Sequence, residues 1–412
     1  MTFRLLTILF LCFFKSFSQE KNLNYFLEKA QKNSPLLKDY NNQIEATSID
    51  SLLFRANQKP LVTGNLNAMY APIINHVGYD EAITNGQSIS GLLGVNKRIM
   101  SKNQINSQSE TFKIIKDALV LNQKVATKDL NKSIISQYIT AFGTSDQIDY
   151  NQKIATLLKD ETSILKKLTQ NSIYKQTDYL IFNAAVKQQE LTLLQLKQQY
   201  QNDLALLNYL SGETDTTFVN LKKPEVELKT ITSSDKTIFL KQFEVDSLKI
   251  DNQSKLIDNA YKPSISLLAD AGYLSSLYYQ PYKNFGFSVG AGLSIPIYDG
   301  NQRSLQHQKN ETALATNLAY KNNFNKQFRQ QLLILNQKLN QVNDVEKQLQ
   351  VQLKIADALI EADKKLFVTG DAQITEYIIA VGNLLSIKSA ITQNYINKLQ
   401  IINEINYWSF ND

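Results

Sequence analysis

The strongest constraint on the fold is an internal duplication at one fixed offset. A shift of 198 residues lays Gly94 on Gly292, Asn103-Gln104 on Asn301-Gln302 and Leu168 on Leu366. The same shift lays Thr177-Asp178-Tyr179 on Thr375-Glu376-Tyr377, and Asn208-Tyr209 with Ser211 on Asn406-Tyr407 with Ser409. One ungapped offset over this length means that both copies adopt the same succession of elements. Lys59-Pro60 matches Lys262-Pro263 at 203, which makes the first copy's hairpin loop five residues longer. Ten of the 14 Gly and five of the 7 Pro fall within residues 60–100 and 263–300. Helix breakers are therefore confined to two short windows, and the remainder is free to be helical.

Inside those windows the hydrophobic period is two. In residues 284–304, Phe285, Phe287, Val289, Ala291, Leu293 and Ile295 alternate with Gly286, Ser288, Gly290, Gly292 and Ser294. One face of such a strand is apolar and the other small or polar. Pro296 removes a ladder donor and ends it. Asp299-Gly300-Asn301 makes a turn, and a long helix begins. Residues 61–75, 88–96 and 264–273 alternate in the same way.

These signals divide the chain into repeat 1 (19–211), a connector (212–235) and repeat 2 (236–412). Repeat 1 reads as a helix at 21–58 broken at Ser34-Pro35, a β-hairpin at 61–100, a very long helix at 102–170 and a helix at 176–210. Repeat 2 reads as a helix at 236–261, a hairpin at 264–298, a long helix at 302–368 and a helix at 371–408. The connector is polar, carries Pro224 and shows no helical stripe. Pro60 and Pro263 precede the strands; with Pro296 and Gly300 they mark the joints between strand and helix.

Residues 1–18, with Arg4 ahead of the apolar run Leu5–Phe14 and small Ser16 and Ser18 behind it, read as a secretory signal peptide. Cys12, the one cysteine, lies inside it, so the mature chain is expected to hold no disulfide, thiolate metal site or cysteine nucleophile. No other run reaches eighteen apolar residues, and no transmembrane helix is expected. The net charge of +6 is scattered, which argues against nucleic acid as a partner. His76 and His307 are too far apart in this layout to share a metal. No nucleophile elbow, zincin, P-loop or dinucleotide fingerprint is present, so neither a cofactor nor an enzymatic activity is expected. The abundant Asn and Gln read as hydrating a tunnel wall or an outer face.

A helix of seventy residues measures roughly 105 Å. Four strands of about ten residues match the thickness of a bilayer core when tilted. Apolar-out, polar-in strands are the barrel pattern, but four cannot close a barrel, and open edges do not survive in lipid. Three copies would supply 12 strands, an even count. Tyr70, Tyr273, Tyr278, Tyr279, Tyr282 and Phe285 gather near the hairpin ends as interfacial aromatics do. The alternative is a periplasmic coiled-coil adaptor or scaffold, which would carry one helical hairpin between small β domains.

The stretches AYKPSISLLADAGY, GAGLSIPIYDGNQRS, LFVTGDAQITEYIIA and ALLNYLSG resemble the TolC family of outer-membrane efflux and secretion channels. The resemblance covers nearly the whole chain in both halves. Its first-half exit, Lys97-Arg98-Ile99-Met100, departs from it by lacking the proline. It implies a homotrimer in outer-membrane lipid, with a 12-stranded β-barrel continuous with a long α-helical barrel across the periplasm. It implies a passive duct for a tripartite efflux pump or type I secretion system, partnered by a periplasmic adaptor (membrane fusion protein) and an inner-membrane transporter. The turns at 170–177 and 369–376 would form the periplasmic tip, with Asn171, Ser172, Thr369 and Gly370 docking the adaptor. Glu376 matches the first position of the family's acidic constriction ring, whose second position here is Ile379. Asp371 and Asp178 are the other candidates for that constriction.

Overall fold

The computed structural model describes residues 21–80, 86–214, 219–229, 237–278, 280–371 and 373–409. The expected signal peptide with Cys12 lies outside the described residues, as does Tyr279. The elements are α1 (Leu23–Asn33), α2 (Pro35–Ala56), β1 (Leu61–Tyr70), β2 (Gln87–Ile99), α3 (Lys102–Gln170), α4 (Gln176–Ser211), α5 (Ile238–Ala260), β3 (Ser264–Ser275), β4 (Phe285–Ser294), α6 (Gln302–Thr369) and α7 (Ile374–Ser409).

Their ends follow from backbone chemistry. The Ser34 N–H closes α1 on the Ala30 carbonyl, and its hydroxyl accepts from the Leu37 N–H. Pro35 then opens α2 at the position where a missing N–H costs nothing. Gly212, left-handed at φ 67, caps α4. β4 stops at Ser294 rather than reaching 298, because Pro296 has no donor for the ladder. Where proline is lacking, β2 continues, and Lys97, Arg98 and Ile99 pair with Leu267, Ser266 and Ile265. The last helix begins at Ile374 rather than 371, since Gly370 turns the chain out of helical conformation at φ 89.

The chain forms two compact units, each drawn from both repeats. One comprises Lys38–Lys124 and Ile238–Phe324. It holds an antiparallel sheet of order β1-β2-β3-β4. Its helices are clasped by side-chain amides. Buried Asn252 donates to the Ser107 carbonyl (3.1 Å) and the Thr111 hydroxyl (2.8 Å), and buried Asn259 donates to the Asn103 carbonyl (3.3 Å) and the Ser107 hydroxyl (2.9 Å). On α6, Asn310 and Asn317 donate to the hydroxyls of Ser254 and Ser247, 2.9 Å each. Each pair is seven residues apart, two turns of helix, so both members point the same way. This corrects the expectation that the Asn and Gln merely hydrate surfaces. A buried N–H must be paired, and these amide nitrogens find acceptors on the neighbouring helix.

The other unit comprises the described parts of Met1–Leu37, Val125–Thr237 and Asn325–Asp412. One core gathers Phe26, Ile134, Tyr138, Tyr200, Leu204 and Leu207 with Leu221 of the connector. Residues 219–229 of the connector have no regular structure, but they are pinned. Tyr138 O–H donates to the Lys222 carbonyl (2.8 Å), Tyr200 O–H donates to that of Val219, and the Asn406 amide donates to that of Glu227 (2.8 Å). A second core surrounds the turns that follow α3 and α6. The stretch Ile374–Trp408 reaches a mean hydropathy of 1.3, so by length and composition one helix could span a membrane, contrary to the sequence expectation. Within this unit part of that apolarity serves packing, since Tyr377, Ala380, Val381, Leu384 and Ile405 of α7 are buried.

Candidate functional site

The sheet has one uncovered apolar face. Registered pairs share a face, so Val62 and Val95, Leu66 and Gly91, Ala269 and Val289, and Ala271 and Phe287 lie together. Leu66 is 88% exposed, Phe287 83% and Val289 78%. Each large apolar side chain left in water forgoes about 1.5–3 kcal/mol. Over this face the deficit reaches on the order of 10 kcal/mol, as large as the whole stability of a domain. The opposite face carries Thr63, Asn65, Gly94, Asp270 and Ser288, with the Ser288 hydroxyl donating to Asp270 at 2.5 Å. Tyr70, Tyr278, Tyr282 and Phe285 are exposed near the strand ends, and the Tyr273 and Phe285 rings meet at 5.3 Å. Among the described residues β1 and β4 each pair on one side only, leaving two open edges of ten residues. Both hairpins belong to one sheet through the β2–β3 ladder, unlike an adaptor with separate β domains.

The two strand-to-helix joints differ. From β2 to α3 the link is short: the Ser101 hydroxyl accepts from the Gln104 N–H (3.3 Å), and the Gln104 side chain accepts from the Ser101 N–H (2.9 Å). That is a capping box. From β4 to α6 the chain passes Pro296 and then Gly300 at φ 63. Asp299 accepts from the Asn301 N–H (2.9 Å) and the Arg303 N–H (2.8 Å). These backbone donors, Arg303 foremost, hold its carboxyl below the usual range. Pro60 and Pro263 stand immediately before β1 and β3.

The expected tip turns come together. Ser172 (φ 62) and Gly370 (φ 89) occupy equivalent positions of the duplication, both left-handed. The Ile173 N–H reaches the Leu168 carbonyl at 2.9 Å, and the Asp371 N–H reaches that of Leu366 at 3.0 Å. Both helices thus end in the same Schellman closure. A Cβ on Gly370 would lie 2.5 Å from Ile173 Cγ2, so the turns touch. Asn171 bonds back to the Lys167 carbonyl, and the Thr369 hydroxyl donates to Asp371 at 2.9 Å. The Asp178 carboxylate accepts from the Lys175 N–H at 3.0 Å. Two of the three candidate carboxylates therefore have local structural work. Glu376, in the first turn of α7, is exposed, as is Ile379 one turn on.

The chemistry that sequence reasoning missed lies beneath the turns. Phe182, Phe367 and Tyr377 pack with centroids 5.5–6.3 Å apart, and Tyr174 O–H donates to the Phe367 carbonyl. Tyr377 O–H donates to Glu161 Oε1 at 2.6 Å, while Glu161 Oε2 is buried without a hydrogen-bond partner among the described residues. Burial pushes the Glu161 carboxyl above its usual range, opposed by the Tyr377 bond and the Lys364 charge. Burial also raises the Tyr377 phenol, and its bond to Glu161 adds to this. A signal existed: Glu161 sits in the four-three stripe Ile154, Leu158, Glu161, Leu165, Leu168, a carboxylate at a core position. Among the described residues no cluster of three His, Cys, Asp or Glu could hold a metal; His307 faces Asp258 at 2.9 Å.

No protein-family model matches the sequence, and neither does any curated protein. Solved structures do match. The CmeC outer membrane channel of Campylobacter jejuni superposes with a TM-score of 0.74 at 13% identity, over 95% of this chain and 86% of that one. The outer membrane protein VceC of Vibrio cholerae gives 0.74 at 13%, over 94% and 96%. The open state of the MtrE outer membrane channel of Neisseria gonorrhoeae gives 0.74 at 12%, over 94% and 88%. The fold of this chain is therefore the TolC-like fold of the outer-membrane channels, over nearly its whole length.

Proposed function

We propose that this protein is a TolC-family outer-membrane channel, a passive exit duct that spans the outer membrane and extends into the periplasm. Three copies join their sheets at the open edges into a 12-stranded barrel, with the Phe287 face against lipid and the Asp270 face lining the water-filled lumen. The duct catalyses nothing; an inner-membrane transporter, coupled through a periplasmic adaptor, supplies the energy of a tripartite efflux pump or type I secretion system. The observation that carries this reading is the four-stranded sheet, apolar on one exposed face and unpaired at both edges. Lipid and two further copies remove both costs together. The fold likeness to CmeC, VceC and MtrE, each named as an outer membrane protein or channel, supports it.

At the periplasmic tip, Glu376 forms the constriction's charge, because Asp178 and Asp371 are engaged locally. Asn171, Ser172, Thr369 and Gly370 present the turns to the adaptor. The reading is tested on an outer-membrane fraction run unheated and heated on a gel. A trimer that collapses to monomer on boiling is expected; a soluble monomer in the periplasmic fraction would overturn it. In planar bilayers, Glu376→Ala is expected to weaken block by divalent cations, and unchanged block would remove Glu376 from the constriction.

A further inference from the structure

We propose that a cavity between α3, α6, α7 and the connector binds a small organic monocation, with the chain's own Lys223 ammonium as its resting occupant. The cavity measures about 260 Å³ and lies wholly within the unit that holds the connector. Two aromatic rings form one wall: Phe142 and Tyr395 meet edge to face, with centroids 6.4 Å apart. Two carboxylates, Asp146 and Glu346, line it as well. Ring faces and carboxylates are both negative, so the lining selects a cation with an apolar body, as aromatic cages do. Burial, and next the charges of Asp146 and Glu346, raise the Tyr395 phenol, which keeps that ring a neutral π face.

The chain itself shows what fits. Lys223 Nζ lies 5.0 Å from the Tyr395 ring centroid. The charge count favours one occupant. Asp146 takes the Thr392 hydroxyl at 2.6 Å, which leaves its charge in place, and Glu346 is paired with Lys398 at 2.8 Å. Two negative charges and the Lys398 positive charge leave one negative charge, which the Lys223 ammonium balances. Withdrawal of that side chain leaves room and charge for a single monocation.

The withdrawal does not unravel the connector. Leu221 and Pro224 on either side of Lys223 are buried, and the Lys222 carbonyl is held by Tyr138. A flexible side chain on a pinned backbone is a displaceable, tethered ligand. The inference goes beyond the channel reading and does not depend on it.

The test uses the full chain in detergent, titrated with benzyltrimethylammonium and followed by ligand-observed NMR. Benzyl alcohol serves as the neutral control and KCl as the inorganic one. Saturable binding of the ammonium, absent for benzyl alcohol, is expected. Lys223→Ala is expected to tighten it by about two- to fivefold, the span of one exposed cation–π contact. Tyr395→Leu is expected to abolish it, Tyr395→Phe to keep it, and Asp146→Asn to weaken it. Oligomeric migration and circular dichroism identify variants that fold, and Asp146→Asn, at an exposed position, carries the test if Tyr395→Leu does not. Failure of Lys223→Ala to bind, equal binding of benzyl alcohol, or undiminished binding by Asp146→Asn would each overturn the proposal. Gel migration of the trimer is a separate readout, so loss of this site and loss of the channel reading are distinguishable.

Discussion

Ser172 and Gly370 stand at equivalent positions, with the same left-handed backbone and different side chains. An L residue in that conformation costs roughly 1 kcal/mol that glycine does not. Ser172→Gly is therefore expected to raise stability by about 0.5–1 kcal/mol. Gly370→Ala gains the strain and drives a methyl into Ile173, and is expected to cost more than about 1 kcal/mol. Thermal unfolding of the detergent-solubilised protein reads both; equal signs would refute the equivalence of the turns. Glu161 makes a second residue-scale prediction. Its folded pKa is raised, so protonation favours the native state, and its contribution is lost as pH rises through the folded pKa. Glu161→Gln is expected to unfold at a higher temperature than wild type above that pKa, and the gap should narrow toward acid. A gap constant across pH would show that folding does not shift the Glu161 pKa. The left-handed turn was legible in Gly370, but Ser172 carries no such mark. Its conformation follows from the closure on Leu168.

At the scale of elements, helix pairing depends on polar clasps and on one close approach. Gln189 is buried and donates to Asn151 Oδ1 at 2.7 Å, whereas its neighbour Gln188 is exposed. Gln189→Ala is expected to cost about 1–3 kcal/mol by orphaning the buried Asn151. Gln188→Ala should stay within about 0.5 kcal/mol, like most surface changes. Chemical denaturation compares the two, and equal effects would mean that the clasp adds nothing. Gly143, the one glycine of α3, makes room for Ile396 of α7: a Cβ there would lie 2.0 Å from Ile396 Cδ1. In sequence it shows only as a flaw of about 1 kcal/mol in a helix. Its reason is a side chain some two hundred and fifty residues away. The joint after β4 was more legible, because Pro296 acts within a few residues of itself; the Ser101/Gln104 capping box after β2 came only from the structure.

For the whole molecule the decisive quantity is the uncovered sheet face. A charge at the bilayer midplane costs about 2–4 kcal/mol, while the lumen side of a barrel tolerates one. Phe287→Arg on the apolar face is expected to abolish the heat-modifiable oligomer proposed for outer-membrane fractions. Asn65→Arg on the opposite face is expected to leave it intact. Loss in both, or in neither, would show that the two faces do not see lipid and water. The duplication foretold two matching hairpins and two matching helical turns. It did not foretell that the compact units would each draw on both copies.

Periodicity, breakers and the fixed offset are properties of neighbouring residues, so the sequence by itself determined the order of the elements, the faces of the strands and the places where helices stop. Burial is a property of partners. Only the tertiary structure decided which of the many amides are clasps, that Ile396 fills the notch at Gly143, and that Glu161 meets Tyr377, 216 residues away. None of those contacts has a local signature, because what makes each one favourable is the loss of water that its distant partner brings about.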